Sequence, residues 1–185
     1  MDLVRFFEIA SELKRVKRTG WIKRGVRDVE SVADHTFMVT LLCMTMPQTG
    51  IDKEKAMKLA IVHDVAEVVT GDVVSTDKCT EIGEVTKKER METERKAMKK
   101  VLSGLDDSIA KEIMGLWEEY TEGKTPEAIF VSDMDVAETM LQALEYHKKG
   151  NYEKPLDSFW EEKKINLIKN KNIKTLMRRI IDQNK

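Results

Sequence analysis

A chain of 185 residues is long enough for one domain with a substantial core and short for two. Hydrophobic residues make up 41% and charged residues 35%, with three prolines and nine glycines, which excludes a disordered or collagen-like chain and suits a compact helical one. The 32 Lys and Arg nearly cancel the 33 Asp and Glu, so no basic excess recommends nucleic acid as a partner.

In chain order, apolar positions Leu3, Phe6, Phe7, Ile9, Ala10 and Leu13 predict an amphipathic helix over 2–17. This opening lacks the long apolar run and cleavage site of a secretory signal. No run of about 18 uncharged apolar residues follows anywhere, so no membrane contact is expected. Cys43 and Cys79 stand outside any CxxC pattern, which fits reduced thiols and a cytoplasmic protein. "RTGWIKRGVRDVE", with two glycines, reads as a loop. Ser31 with Asp34 three residues on forms a capping-box pattern that opens a helix over 31–46. Asp52 caps a helix over 53–70, and Gly71 suits its C-terminal left-handed position.

Residues 72–82 read as a loop. The charged helix over 83–103 carries Glu84–Lys88 and Glu92–Lys96 at i,i+4, the pattern of a solvated face. A helix over 106–122 follows. Thr125–Pro126 then starts one over 126–148 that stops near Gly150. His147 near that C-terminus complements the helix dipole and is read as structural. The tail, 156–183, reads as helical. No alternating strand, repeat or linker interrupts this series, so one all-α domain is expected.

The stretch "IVHDVAEVVTGDVV" (61–74) places His63, Asp64 and Glu67 inside an apolar run. Burying such groups costs several kcal/mol unless they are paired. A metal ion would pair them. His63 shares its stripe with Ala56, Leu59, Ala60 and Ala66, and His35 shares one with Val32, Val39 and Leu42, so both histidines face the core. Imidazole and carboxylate together suit Mn, Fe, Co, Ni or Zn rather than a thiolate-type zinc. His63 and Asp64 point about 100° apart round a helix, so an ion over the groove between them needs ligands from a facing helix. His35 offers one. The helix over 126–148 offers a further carboxylate in "FVSDMDVAETMLQALEY". Asp133 lines up with Ile129, Val136, Met140 and Leu144, and Asp135 with Val131, Glu138 and Gln142. Periodicity does not choose between them, and burial favours Asp133.

Taken together, "LKRVKRTGW" (13–21), "ADHT" (33–36), "HDVAEVVTGD" (63–72) and "DMDVAETMLQALEY" (133–146) resemble the HD-domain metal-dependent phosphohydrolases. The nearest likeness is to their 5′-deoxynucleotidase branch, to which oxetanocin-like HD proteins look related. The resemblance implies a single HD-domain helical bundle over 1–185, with the motifs in about 13–150 and the C-terminal helix 156–183 packed on it. It implies one divalent metal ion (Mn, Co, Ni, Zn or Mg) on His35, His63, Asp64 and Asp135, because "LQALEY" fixes a register that selects Asp135 over Asp133. It makes Glu67 and Asp72 catalytic, and Arg18, Asp72, Lys78 and Trp21 substrate contacts.

Such a site would hydrolyse 2′-deoxynucleoside 5′-monophosphates to deoxynucleoside and phosphate. Glu67, one turn from the metal pair, would handle the proton of the attacking water. Arg18 would grip phosphate oxygens. Asp72 lies about 12 Å along a continuous helix from His63, at a distance suited to a sugar hydroxyl. The alternatives are another nucleotide substrate, cyclic or triphosphate, and a non-enzymatic helical protein with a structural metal. The expected partner is a small nucleotide, with neither nucleic acid nor membrane. Exposed apolar positions on the charged helix and tail predict a homodimer.

Overall fold

The computed structural model describes residues 2–72 and 87–184. Lys78, Cys79 and the Glu84–Lys88 pair fall wholly or partly outside them. Among the described residues every regular element is a helix, as the composition and apolar spacing predict, and one isolated antiparallel bridge joins Lys17 to Ser31.

Helix α1 spans Leu3–Ser11, with the Asp2 carboxylate accepting the Arg5 N–H at its start. The expected helix over 2–17 ends early, in a 3-10 turn at Glu12–Lys14. From there the chain extends, and the Arg18 N–H donates to the Glu30 carbonyl. A short helix, α2 (Thr19–Ile22), lies inside the expected loop. The Ser31–Asp34 capping box is fully formed and opens α3 (Val32–Thr45).

Asp52 caps α4 (Lys53–Val62). The helix expected over 53–70 does not run through. It breaks into a turn at His63–Ala66 and resumes as α5 (Glu67–Thr70), closed by Gly71 at φ 72°. A positive φ of this kind suits glycine, which has no Cβ to clash. After α6 (Lys87–Leu102) and α7 (Asp107–Glu122), Thr125 and Pro126 start α8 (Pro126–Lys149). The expected tail helix is three pieces: a 3-10 turn at Asp157–Phe159, α9 (Glu162–Ile165) and α10 (Lys171–Asn184).

Helix α8 is the central post. Its buried Ala128, Val131, Met134, Ala137 and Met140 meet Val39 and Cys43 of α3, Ala56, Leu59 and Ala60 of α4, and Ile173 and Met177 of α10. A second cluster, Val62, Ala66, Ala97, Met98, Leu102 and Trp117, fastens α6 and α7 to the α4–α5 junction. Both clusters reach the interruption at His63–Ala66, the first through Leu59 and Ala60 and the second through Val62 and Ala66. Among the described residues, the large exposed apolar side chains gather on α1 (Val4, Phe7) and α3 (Phe37, Met44) rather than on the charged helix α6. No described helix is long and apolar enough to cross a membrane.

Candidate metal and phosphate site

His35 projects from the first turns of α3, His63 and Asp64 from the turn after α4, and Asp135 from the middle of α8. The turn explains the HD pair. Backbone N–H groups there bond three residues back, Val65 to Val62 and Glu67 to Asp64, and this tightening brings Asp64 Oδ2 to 3.0 Å from the neighbouring His63 Nε2. Both imidazoles are fixed at their rear nitrogens. His35 Nδ1 lies 2.5 Å from Glu138 Oε2, and His63 Nδ1 lies 2.6 Å from the Ala60 carbonyl, to which it donates.

The two Nε2 atoms are therefore turned into one space, where both are buried with no hydrogen-bond partner. Asp135 Oδ1 approaches His35 Nε2 at 3.3 Å and Asp64 Oδ2 at 3.8 Å, neither in hydrogen-bonding alignment. Ligand atoms of His35, His63 and Asp64 all lie within 4.8 Å of one another. Buried polar atoms are ordinarily satisfied, so two orphaned imidazole nitrogens facing carboxylates point to a shared missing partner. Two nitrogens and two carboxylate oxygens fit a divalent cation of borderline softness.

The electrostatics agree. Burial and Arg18 both oppose a charged His35, yet the neighbouring carboxylates of Asp135 and Glu138 push the imidazole up to about 10. Burial likewise disfavours the Asp135 carboxylate, but His35 holds it below the usual carboxylate range. The carboxylates thus demand positive charge at this spot. Protons on the imidazoles can supply it, and a divalent cation displaces them.

Glu67 opens α5 beside this group, buried, with Oε2 unpaired. Burial, then the negative charges of Asp64 and Asp72, push its carboxyl up to about 10. Arg18 caps the other side. Its guanidinium is 3.8 Å from Asp64, 3.7 Å from Asp72 and 3.9 Å from Glu30, and it donates to the Thr139 hydroxyl at 3.3 Å. The three carboxylates hold the charge in place while leaving most of the donor fork uncommitted. Asp72 sits beside it because the broken helix and Gly71 fold the chain back, which replaces the long axial separation of a continuous helix. Its Oδ2 accepts the Thr19 N–H at 2.5 Å and its carbonyl accepts the Thr19 hydroxyl at 2.7 Å, tying α5 to the segment that carries Arg18.

Trp21 is not brought to the cleft. Its side chain is 1% exposed, packed on Phe159 and edge-on to Tyr146, and its indole N–H donates to Glu30 at 2.7 Å. Instead of facing substrate it props Glu30 behind Arg18. Lys78 lies outside the described residues. Asp133 is buried, as the burial argument requires, but faces away from the histidines: its two oxygens accept the Lys169 and Asn170 N–H groups at 2.7 and 2.8 Å. Backbone amides there satisfy the carboxylate that the sequence left without a partner.

Sequence reasoning missed Glu138, Glu30, Thr139 and Tyr120, whose hydroxyl lies 3.4 Å from Asp135 Oδ2 and whose ring meets His63 edge-on. Glu138 carried a signal, since it shares the Asp135 face of α8. The other three carried none beyond composition.

Residues 10–176 match the family model described as HD domain. The chain is 39% identical to the zebrafish 5′-deoxynucleotidase HDDC2 over 147 residues, 80% of this chain and 70% of that protein. It is 38% identical to the 5′-deoxynucleotidase hdd1 of Schizosaccharomyces pombe over 170 residues, 89% and 83%. The PH0347 protein of Pyrococcus horikoshii OT3 superposes with a TM-score of 0.75 at 32% identity, covering 97% of this chain and 96% of that one. A predicted metal-dependent phosphohydrolase of Magnetospirillum magnetotacticum MS-1 shares the fold, with a TM-score of 0.77 at 22% identity over 99% and 90%. With a family model that spans nearly the whole sequence, the chain belongs to the HD domain family.

Proposed function

We propose that this protein hydrolyses 2′-deoxynucleoside 5′-monophosphates to the deoxynucleoside and phosphate. The observation that carries the chemistry is the pair of buried, unpartnered Nε2 atoms of His35 and His63 facing Asp64 and Asp135. The substrate class is supported by relatives named 5′-deoxynucleotidase at 38–39% identity over most of the chain.

His35, His63, Asp64 and Asp135 would hold one divalent cation, Mn, Co, Ni, Zn or Mg. Such a cation, when bound, supplies Lewis-acid polarisation of the phosphoryl group and an acidified water. The remaining work falls to the chain. Glu138 keeps the His35 lone pair aimed at the site, and the Ala60 carbonyl does the same for His63. Glu67 stands one turn from the HD pair as the proton carrier, in surroundings that hold a carboxyl proton readily. Arg18 grips the phosphate oxygens with donors that the surrounding carboxylates leave free, and offsets charge gathered in the transition state. Asp72 holds the Thr19 backbone so that Arg18 enters from a fixed direction, and its flank faces the sugar.

The test is phosphate release from dAMP, AMP, cyclic AMP and dATP by chelator-treated protein, alone and with Mn²⁺, Co²⁺, Ni²⁺, Mg²⁺ or Zn²⁺. Metal-dependent release from dAMP exceeding that from AMP is the expected result. Release from cyclic AMP or dATP instead would move the substrate within the same chemistry. Release from none, with metal bound, would make the ion structural.

A further inference from the structure

Tyr120 touches two of the four candidate ligands from a helix that carries none of them. Its ring meets the His63 imidazole edge-on, with centroids 5.2 Å apart, and its hydroxyl donates to Asp135 Oδ2 at 3.4 Å. Both contacts come from α7, which lies outside every motif that marks the site in the sequence.

Contacts on either side of Tyr120 hold it in place. Trp117, three residues earlier, is buried in the second core cluster, while Leu116 and Tyr120, one turn apart, pack against the first. Beside Tyr120, Glu119 pairs with Lys55 of α4 at 2.8 Å, and the same ammonium lies 3.6 Å from Glu127 of α8. Glu119 also accepts the Thr125 hydroxyl at 2.5 Å, just beyond the end of α7. Helix α7 is thereby fixed against α4, which leads to His63, and against α8, which presents Asp135.

The two oxygens of Asp135 are divided by the Tyr120 contact. Oδ1 lies 3.3 Å from His35 Nε2, one of the two unpartnered imidazole nitrogens, whereas Oδ2 takes the Tyr120 hydroxyl. A carboxylate can ligate a metal through one oxygen or through both, and the difference is one coordination position. On an ion with about six positions, four single-atom protein ligands leave two, for the attacking water and a phosphate oxygen. A second oxygen from Asp135 would close one of them. Catalytic metal sites keep such positions open.

We infer that Tyr120 is a positioning residue that holds Asp135 to one-oxygen ligation and so keeps a coordination position open for water. The inference rests on the metal reading above and deepens it. It gives α7 a part in the chemistry. It also gives the Tyr120 hydroxyl a role separable from that of the ring, which packs on His63.

The test compares wild-type protein with Y120F, which deletes the hydroxyl and keeps the ring on His63. Chelator-treated full-length protein is loaded with Mn²⁺, and inner-sphere water on the ion is counted by water-proton relaxation. Mn²⁺ stoichiometry, kcat for dAMP and the melting temperature of the metal-free protein are measured alongside. Y120F is expected to bind Mn²⁺ at the wild-type stoichiometry with about one inner-sphere water fewer. Its kcat should fall about 10–100-fold, the scale of a lost contact to a metal ligand, with Tm close to wild type. A wild-type water count in Y120F would overturn the inference, whatever its kcat. So would a drop in Tm with every metal readout unchanged, since that marks a packing hydrogen bond. Failure of the wild-type protein to bind Mn²⁺ would overturn the metal reading and the inference together. Wild-type protein that binds Mn²⁺ but leaves dAMP intact would sink the deoxynucleotidase reading alone, because the water count needs no substrate.

Discussion

Glu138 acts on His35 from behind, and the consequences of that contact are measurable. A carboxylate on the rear nitrogen of a metal-binding imidazole fixes its tautomer and raises its basicity. Glu138→Gln should therefore lower metal affinity about 10–100-fold in a competition titration while leaving the helix content intact. Glu67→Gln should do the reverse: metal retained, and turnover lowered by about 10²–10⁴ through loss of the proton carrier. Full turnover in that variant would remove Glu67 from the chemistry. Trp21 shows what residue-level reading gets wrong. Beside "RTG" an aromatic reads as a surface that meets a base, but a side chain 1% exposed is core. Trp21→Ala should cost about 3–5 kcal/mol of stability in denaturant unfolding, a loss that a substrate contact would not produce.

The elements show why some of the site was legible and some was not. The histidines, Asp64 and Glu67 could be read because ionisable groups in an apolar run are conspicuous, and the caps at Ser31, Asp52, Thr125 and Gly150 are local devices that sequence displays directly. The break at His63–Ala66 was not legible: no Pro or Gly marks it, and the core residues around it divide between two clusters that only the tertiary structure defines. The division of the tail was hidden for a similar reason, since its cause is Asp133, 36 residues upstream of Lys169. Periodicity could say that Asp133 is buried but not what buries it. Asp133→Asn should lower stability by about 1–3 kcal/mol with metal affinity nearly unchanged, whereas Asp135→Asn should weaken the metal with little effect on stability. Parallel unfolding and metal titrations of the two variants separate these roles, and metal loss in the first alone would return Asp133 to the ligand set.

For the whole molecule, the charged cluster links stability to pH and to metal. In the metal-free protein His35 rises from 6.5 to about 10, so its stabilising proton is fully held below 6.5 and lost as pH climbs through 10. Glu67 adds to the same trend, since its carboxyl rises from 4.5 to about 10 and the unfolded chain releases that proton first. The melting temperature of chelator-treated protein should therefore fall between pH 6.5 and 10. A saturating divalent ion should raise Tm and flatten that slope, because it replaces the protons as the source of positive charge. A slope unaffected by metal would place the titrating groups elsewhere.

The spread of these side chains over α3, the α4–α5 turn and α8 has a consequence for how the chain is made. A bound ion would join segments about a hundred residues apart, like a cross-link closing a long loop. As the polypeptide leaves the ribosome, both histidines and Asp64 emerge well before α8 supplies Asp135 and the Glu138 that orients His35. Capture of metal would then mark the moment at which synthesis has delivered the central post and the bundle has closed around it.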